Sequence, residues 1–284
     1  MPELPEVEVL RRHLEPLLTG RRIRGVLVRR AKSIHPCPPD RFAKLLEGAV
    51  FRGVGRRGKY LVFQLEGPGR RRSGFQLLAH LGMTGRLYLV KKGATTPKHA
   101  ALRLDLGRHW LLFEDTRYFG RMTLDAGRLS KLGPEPLGAE INADYLRNAL
   151  HGCRQAIKPK LLDQSLVAGI GNIYASEILF SAGLSPAKCA GRLSKTETIA
   201  LLRAMRQVLR RAIRFGSTVP LNFSGGGSPD GLFYYGLAEN APDYYQEELR
   251  VYDRAGQPCH RCGALIRRVA QSGRSTYFCP VCQR

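Results

Sequence analysis

Cys259-His260-Arg261-Cys262 and, sixteen residues further on, Cys279-Pro280-Val281-Cys282 decide how this chain ends. Two close cysteine pairs, each on a tight turn, supply four thiolates to one tetrahedral zinc ion. They leave no coordination position open for catalysis, so the metal is structural. Between the pairs, 264–270 and 275–278 read as two strands joined by the turn Gln271-Ser272-Gly273-Arg274, a hairpin that holds Arg274 at its tip. The other cysteines, Cys37, Cys153 and Cys189, are scattered and read as plain thiols. Outward from the zinc segment lies a Gly- and Tyr-rich stretch, 216–247, long enough to be a functional loop. Before it the periodicity is helical, over 143–151, 158–166, 172–182 and the Leu- and Arg-rich run 193–215. Gly169-Ile170-Gly171-Asn172 opens the third of these helices. Small residues there let backbone amides reach an anion at the positive helix end, so the turn is a candidate phosphate site, or simply a helix start.

Upstream of a Gly/Pro break near 130–138 the pattern changes to short β-like runs: 23–28, 50–54, 60–65, 75–81, 85–90, 100–106, 110–114 and 122–124. A helix over 40–47, capped by Asp40, interrupts them, and the Gly/Pro turns imply an antiparallel sandwich or barrel. The chain opens Met1-Pro2-Glu3-Leu4-Pro5-Glu6-Val7, followed by an amphipathic helix over 4–18. With Met1 trimmed, Pro2 presents a secondary amine beside a carboxyl group. An α-amino group titrates near about 7.7 to 8.0, so part of it is neutral and nucleophilic at neutral pH. Condensed with an aldehyde-level carbon it gives an iminium, a cation that draws electrons without needing a proton. The other reading is that Pro2 and Pro5 only set the entry of the helix.

The charge narrows the partner. Forty-six Lys and Arg against 23 Asp and Glu leave +23, a field suited to polyanions, with nucleic acid first and a ribosome-associated or membrane-surface role sharing the same total. No apolar run approaches the length of a membrane span, and no secretory pattern is present, so a cytoplasmic protein is expected. Gly55-Arg56-Arg57-Gly58-Lys59-Tyr60 places a lysine at a basic turn entering a strand. His80-Leu81-Gly82-Met83-Thr84-Gly85 sets a methionine between glycines, and Asp115-Thr116-Arg117-Tyr118-Phe119-Gly120 pairs a cation with a ring. Exposed apolar tips of this kind are what extruding a base requires.

Taken together, these residues resemble the bacterial formamidopyrimidine-DNA glycosylase family over essentially the whole chain. The resemblance rests on Pro2-Glu3-Leu4-Pro5-Glu6-Val7-Glu8, Arg56-Arg57-Gly58-Lys59-Tyr60, His80-Leu81-Gly82-Met83, the segment from Leu161-Leu162-Asp163-Gln164 to Glu177, and the terminal zinc hairpin. It implies an α+β multidomain fold. Residues 1–133 would form a helix plus antiparallel β-sandwich with flanking helices. Residues 134–247 would form a helix, two turns, helix domain with the 216–247 loop on the lesion side, and 248–284 the zinc β-hairpin. It implies Pro2 as nucleophile at C1′ of a damaged nucleotide, Glu3 as proton donor to the sugar, Lys59 in β-elimination and Arg274 in δ-elimination. Met83, Arg117 and Phe119 would fill the gap left by the flipped nucleotide, and His99, Arg154, Lys158 and Asn172 would grip DNA phosphates.

The implied reaction is removal of oxidised purines by a bifunctional glycosylase and lyase. The protein would act as a monomer on double-stranded damaged DNA, with one zinc ion and no membrane, in the cytoplasm on the nucleoid. The alternatives are an endonuclease VIII-like enzyme for oxidised pyrimidines, or a damage-binding protein without activity. Three features depart from the family: Tyr118 where a second basic residue is usual, Cys153 before Arg154, and a longer 216–247 loop.

Overall fold

The computed structural model describes residues 2–68, 74–215, 221–222, 234–235 and 249–284. The chain divides into two units. Glu6–Ser130 make up most of the first; Glu3–Pro5, Lys131–Phe215 and the C-terminal segment belong to the second. Residues 69–73 and nearly all of the 216–247 loop lie outside the described residues.

In the first unit, α1 (Leu4–Leu18) repeats Val7, Leu10, Leu14 and Leu18 at helical spacing, and all four are fully buried. The strands that follow are β1 (Gly25–Val28), β2 (Val50–Arg57), β3 (Tyr60–Glu66), β4 (Gly74–His80), β5 (Gly85–Lys91), β6 (Ala100–Asp105), β7 (His109–Asp115) and β8 (Arg121–Thr123). They form two antiparallel sheets of four, ordered β1-β6-β7-β5 and β2-β3-β4-β8. Phe51, Phe63, Leu77, Leu87, Leu102 and Phe113 share one core, with Phe51 and Phe63 edge to face at 5.7 Å between centroids. This is the expected sandwich. A further short pair, β9 (Leu221–Asn222) and β10 (Tyr234–Tyr235), is antiparallel.

Two local readings need correction. The helix α2 (Pro39–Leu46) is capped at Pro38, with Pro39 pre-set in its first position, so Asp40 lies inside the first turn rather than at the cap. Strand β2 runs on to Arg57, because Arg56 and Arg57 pair across to Leu61 and Tyr60. Gly58 and Lys59 therefore form a two-residue turn, and Gly58 takes the positive φ of 55° that such a turn needs.

The second unit holds α3 (Ala143–Leu150), α4 (Ile157–Leu161), α5 (Asn172–Ala182) and α6 (Lys195–Arg214). Asn142 caps α3 by accepting from Tyr145 N, and Ser194 with Glu197 closes a capping box on α6. The helix expected over 158–166 stops at Leu161. Asp163 accepts from Ser165 N at 2.9 Å, and the Gln164 amide donates to Leu162 O and Ile170 O while accepting from Gly169 N. These local bonds give the backbone two turns in place of further helix.

Helix α5 is buried from Tyr174 to Phe180 and ends on Gly183 at φ 71°. Within it, Glu177 accepts from the backbone N–H groups of Arg250, Val251 and Tyr252 at 2.8–2.9 Å, tying the segment after residue 248 to the helix. Burial pushes the Glu177 carboxyl above its ordinary value against the pull of those donors.

The C-terminal hairpin pairs β11 (Arg267–Gln271) with β12 (Arg274–Phe278). Ser272 and Gly273 both have positive φ, the two-residue turn that suits hairpin twist. The first strand starts at 267 rather than 264. Residues 264–266 instead fold back on 257–259, through Cys259 N to Ala264 O at 2.8 Å and Ile266 N to Gln257 O at 2.9 Å, which closes the first cysteine turn. Among the described residues, no helix is long and apolar enough to cross a membrane.

Candidate functional site

The N-terminus of α5 is an anion cradle, and its occupant is a side chain of this protein. Glu3 Oε2 accepts from Gly171 N at 2.7 Å and Tyr174 N at 3.3 Å, and Oε1 accepts from Ile173 N at 2.9 Å. Leu4 N donates to Gly169 O at 3.0 Å, which fixes the backbone on the other side. The glycine-rich turn read as a phosphate site therefore holds the Glu3 carboxylate, by the same physics of unpaired amides at a positive helix end. Gly171 is obligatory for close approach: a Cβ there would lie 2.2 Å from Glu3 Cδ. Gly169 has φ 90°, and a Cβ on it would meet Leu4 Cβ at 2.7 Å. Glu3 is 1% exposed, and Pro2, peptide-bonded to it, is also buried.

Beside this cradle, Lys158 and Asn172 differ from the expected open phosphate ligands. Lys158 is 1% exposed, and its ammonium donates to Asn172 Oδ1 at 2.7 Å, Ser275 O at 2.8 Å and Thr276 Oγ1 at 2.7 Å. An ammonium has three donors, and these acceptors use all of them. Asn172 Nδ2 donates to Ser275 O at 2.9 Å. The pair thus fastens the root of β12, one residue from the exposed Arg274, to the α5 N-terminus. Burial, and then the Arg274 charge, draw Lys158 down to about 8, while Glu3 pulls the other way. Arg154 is exposed and stands outside this network.

In the first unit, Lys59 is 8% exposed in the β2–β3 turn. The turn is braced by Arg56, which donates to Gly58 O at 3.0 Å and pairs with Glu8 at 3.1 Å. His80 lies against the Tyr60 ring with centroids 4.9 Å apart, and its Nδ1 accepts from Gly82 N at 3.1 Å. Burial, then the charges of Lys59 and Arg128, hold His80 down at about 4. A histidine depressed from about 6.5 in the unfolded chain contributes stability that is complete above that value and is lost as pH falls toward 4. Over that window the first unit should lose about 2–3 kcal/mol, and His80→Asn should flatten the decline in urea midpoint between pH 7 and 4.5. An unchanged slope would contradict this assignment.

The wedge residues sit on two turns that form one body. Met83 is 43% and Phe119 55% exposed, and the Arg117 guanidinium lies 5.1 Å from the Phe119 centroid. Beneath them, buried Asp115 accepts from Thr84 Oγ1 at 2.6 Å, Arg117 N at 3.1 Å and Gly120 N at 2.6 Å, so one carboxylate ties both turns. Gly82, at φ 62°, lets the backbones touch: a Cβ there would meet Gly120 N at 2.6 Å.

Tyr118 also has positive φ, 55°, and its hydroxyl bonds His99 Nδ1 at 2.9 Å while Arg30 covers its ring at 3.8 Å. Tyr118 thereby brings a second arginine to the turn and orients His99. Asp115 opens the quoted Asp115–Gly120 stretch, but its bracing role has no sequence signal beyond an acid at a strand end two residues before the exposed cation. Asp115→Asn sets an amide donor against Gly120 N–H. It should cost about 1–3 kcal/mol and raise KM for a lesion duplex about tenfold with kcat within about threefold, by urea titration and steady-state kinetics.

The four cysteine sulfurs lie within 4.8 Å of one another. The Cys259–Cys282 and Cys262–Cys279 separations are 4.0 and 3.5 Å, close to the roughly 3.8 Å edge of a tetrahedron with Zn–S bonds of about 2.3 Å. Arg261 N and Cys282 N donate to Cys259 Sγ and Cys279 Sγ, each at 3.4 Å, as thiolate ligands require. The donor set fits one structural zinc ion.

Family models match three stretches: the formamidopyrimidine-DNA glycosylase N-terminal domain at 1–122, its H2TH domain at 132–222, and a zinc finger found in FPG and IleRS at 256–284. The chain is 40% identical to formamidopyrimidine-DNA glycosylase of Desulfitobacterium hafniense, with both chains covered completely. It is also similar to a mutant Lactococcus lactis FPG in complex with a Fapy-dG-containing DNA, at 34% identity and TM-score 0.86 over 100% of both chains. A structure of MutM with carbocyclic 8-oxo-G-containing DNA matches at 33% identity and TM-score 0.85, again over both whole chains.

Proposed function

The chain belongs to the formamidopyrimidine-DNA glycosylase family, and from that premise we infer that it removes oxidised purines from double-stranded DNA and cuts the strand at the resulting abasic site. The observation that carries the reading is the Glu3 carboxylate, set by three backbone N–H donors next to the Pro2 nitrogen. Zinc supplies no step; it holds the hairpin that carries Arg274.

We assign the steps to this chain's residues as follows. With Met1 removed, the Pro2 amine attacks C1′ of the extruded nucleotide; the C1′–base bond breaks, and the base leaves with the bonding pair as an anion that takes a proton from water. The attacking secondary amine now carries one proton too many for an iminium, and the sugar ring oxygen needs one to leave C1′. Glu3, adjacent to the amine, takes the first and delivers the second, so the ring opens with no net proton change at the carboxylate. The iminium then acidifies C2′; its proton passes to water as the C3′–O bond breaks, with Lys59 at the leaving phosphate. In the δ-elimination, served by Arg274, a C4′ proton passes to water as the C5′–O bond breaks. Met83, Arg117 and Phe119 occupy the vacated stack, and His99 and Arg154 contact phosphates. Lys158 and Asn172 act by anchoring the Arg274 hairpin. The protein works as a monomer in the cytoplasm, on the nucleoid.

Single-turnover excision on parallel duplexes carrying 8-oxoguanine and thymine glycol tests the substrate class. Faster release of 8-oxoguanine is expected. A clear preference for thymine glycol would move the chain to the oxidised-pyrimidine enzymes, and no cleavage of either, nor of an abasic duplex, would make it a binding protein.

A further inference from the structure

We propose that the outward face of α6 is a docking surface for an acidic peptide segment that carries apolar side chains, a tail or linker of a partner protein. The buried side of the helix, Leu201, Ala204, Met205, Leu209 and Ala212, belongs to the core of the second unit. On the other side Ile199, Arg203, Arg206, Gln207, Arg210 and Arg214 recur at three- and four-residue spacing. With Leu202, Arg211 and Phe215 they line an open groove of about 790 Å³. An amphipathic helix needs only some polar side chains on its wet face, and core packing gives no reason for a row of arginines there.

Among the described residues, no acidic side chain lines this groove. Glu197, in the first turn of α6, is held by Lys188. Arg206 is already fixed, its guanidinium donating to Gly138 O at 3.2 Å and Ile141 O at 2.7 Å. At one end Ile199 is 38% exposed; at the other Phe215 is 43% exposed, with Arg211 and Arg214 5.4 and 5.8 Å from its ring centroid. Where Gln207 and Arg211 meet a second cavity of about 350 Å³, Arg250 and Arg261 continue the basic lining. Glu177, the one acid there among the described residues, is engaged by backbone N–H groups.

Charge and shape together select the occupant. From Ile199 to Phe215 the helix rises about 24 Å, at about 1.5 Å per residue, which accommodates about seven residues of extended peptide at about 3.3 Å each. A phosphodiester backbone would satisfy the arginines and leave Ile199 and Phe215 facing water. Carboxylates alternating with leucine or phenylalanine satisfy both, the arginines by paired hydrogen bonds and the apolar ends by burial.

The test uses full-length, zinc-loaded protein and a fluorescein-labelled decapeptide of alternating Asp/Glu with two Phe and one Leu, read by anisotropy at about 150 mM salt. Arg203→Glu/Arg210→Glu and Ile199→Ser/Phe215→Ser should each weaken binding at least tenfold, with 8-oxoguanine excision changed less than twofold. Arg203→Gln/Arg210→Gln serves the same purpose should charge reversal disturb the helix. Arg41→Glu/Lys44→Glu on α2 removes the same charge elsewhere and should change peptide affinity less than twofold. Equal peptide affinity in all variants overturns the proposal. So does tight binding of an all-acidic peptide, or of undamaged duplex with the same loss on charge reversal, since either makes the face a general polyanion surface.

Discussion

Glu3→Gln should slow 8-oxoguanine excision about a hundred- to ten-thousand-fold, the usual span for removing a positioned acid–base group, while cleavage of a pre-formed abasic duplex falls far less. The difference follows from what each substrate asks of the carboxyl group. The intact nucleotide needs a proton at the ring oxygen to turn the closed Pro2 adduct into the open iminium; without it the displaced base returns to C1′ and excision stalls. An abasic sugar is already in equilibrium with its open aldehyde, and the Pro2 amine condenses with it directly.

The substitution has a local cost too. Glu3 offers an acceptor to Ile173 N on one oxygen and to Gly171 N and Tyr174 N on the other, and an amide NH2 in either place faces a donor. That costs about 1–3 kcal/mol locally. If the loss came only from a displaced Pro2, both substrates would suffer equally, so the ratio of the two rates isolates proton transfer from misplacement. Gly171→Ala is the matching control, because a Cβ 2.2 Å from Glu3 Cδ must push Glu3, and the Pro2 bonded to it, out of the cradle without changing the carboxylate's chemistry. It should depress both rates.

Zinc removal should have the second large effect. Chelation, or Cys279→Ser, is expected to unfold the terminal hairpin, lower affinity for a lesion duplex at least a hundredfold and abolish δ-elimination. Without the metal the hairpin keeps a small apolar cluster of Val251, Ile266, Tyr277 and Cys259, resting on Phe180 of α5, and a handful of hydrogen bonds, chiefly those of Lys158 and Asn172 to β12. Small modules of this size depend on metal for folding. The damage does not stop at Arg274. Lys158 would lose Ser275 O and Thr276 Oγ1, leaving a buried ammonium with Asn172 alone beside Glu3. Stripping zinc should therefore also perturb the α5 N-terminus, visible as faster amide exchange at Ile173 and Tyr174. Full activity and unchanged exchange in metal-free protein would contradict a structural metal.

The large elements were legible because their signals are local. Cysteine spacing marks the zinc module, alternating apolar residues mark two sheets' worth of strands, and the helix at 193–215 shows in its apolar period. The site was legible in its residues and less so in its wiring. Gly169 to Asn172 looked like a phosphate turn because the sequence shows amides and glycines but not what they face, and the anion came from Glu3, 168 residues away from Gly171. Lys158 looked like a free cation for a similar reason; nothing local reveals that Ser275 and Thr276 are its acceptors, 117 and 118 residues off. Asp115 and His80 fall within the quoted motifs, but nothing local shows what they bond. Their roles arise from where two turns cross, and only long-range register sets that crossing.

The claim at the centre is that the Pro2 amine forms the covalent bond to the sugar. Borohydride added to the protein with an 8-oxoguanine duplex should trap one protein–DNA adduct whose peptide map places the crosslink at residue 2, and Pro2→Gly should lower its yield to background. An adduct of equal yield in Pro2→Gly, or a crosslink mapped to Lys59, would contradict it.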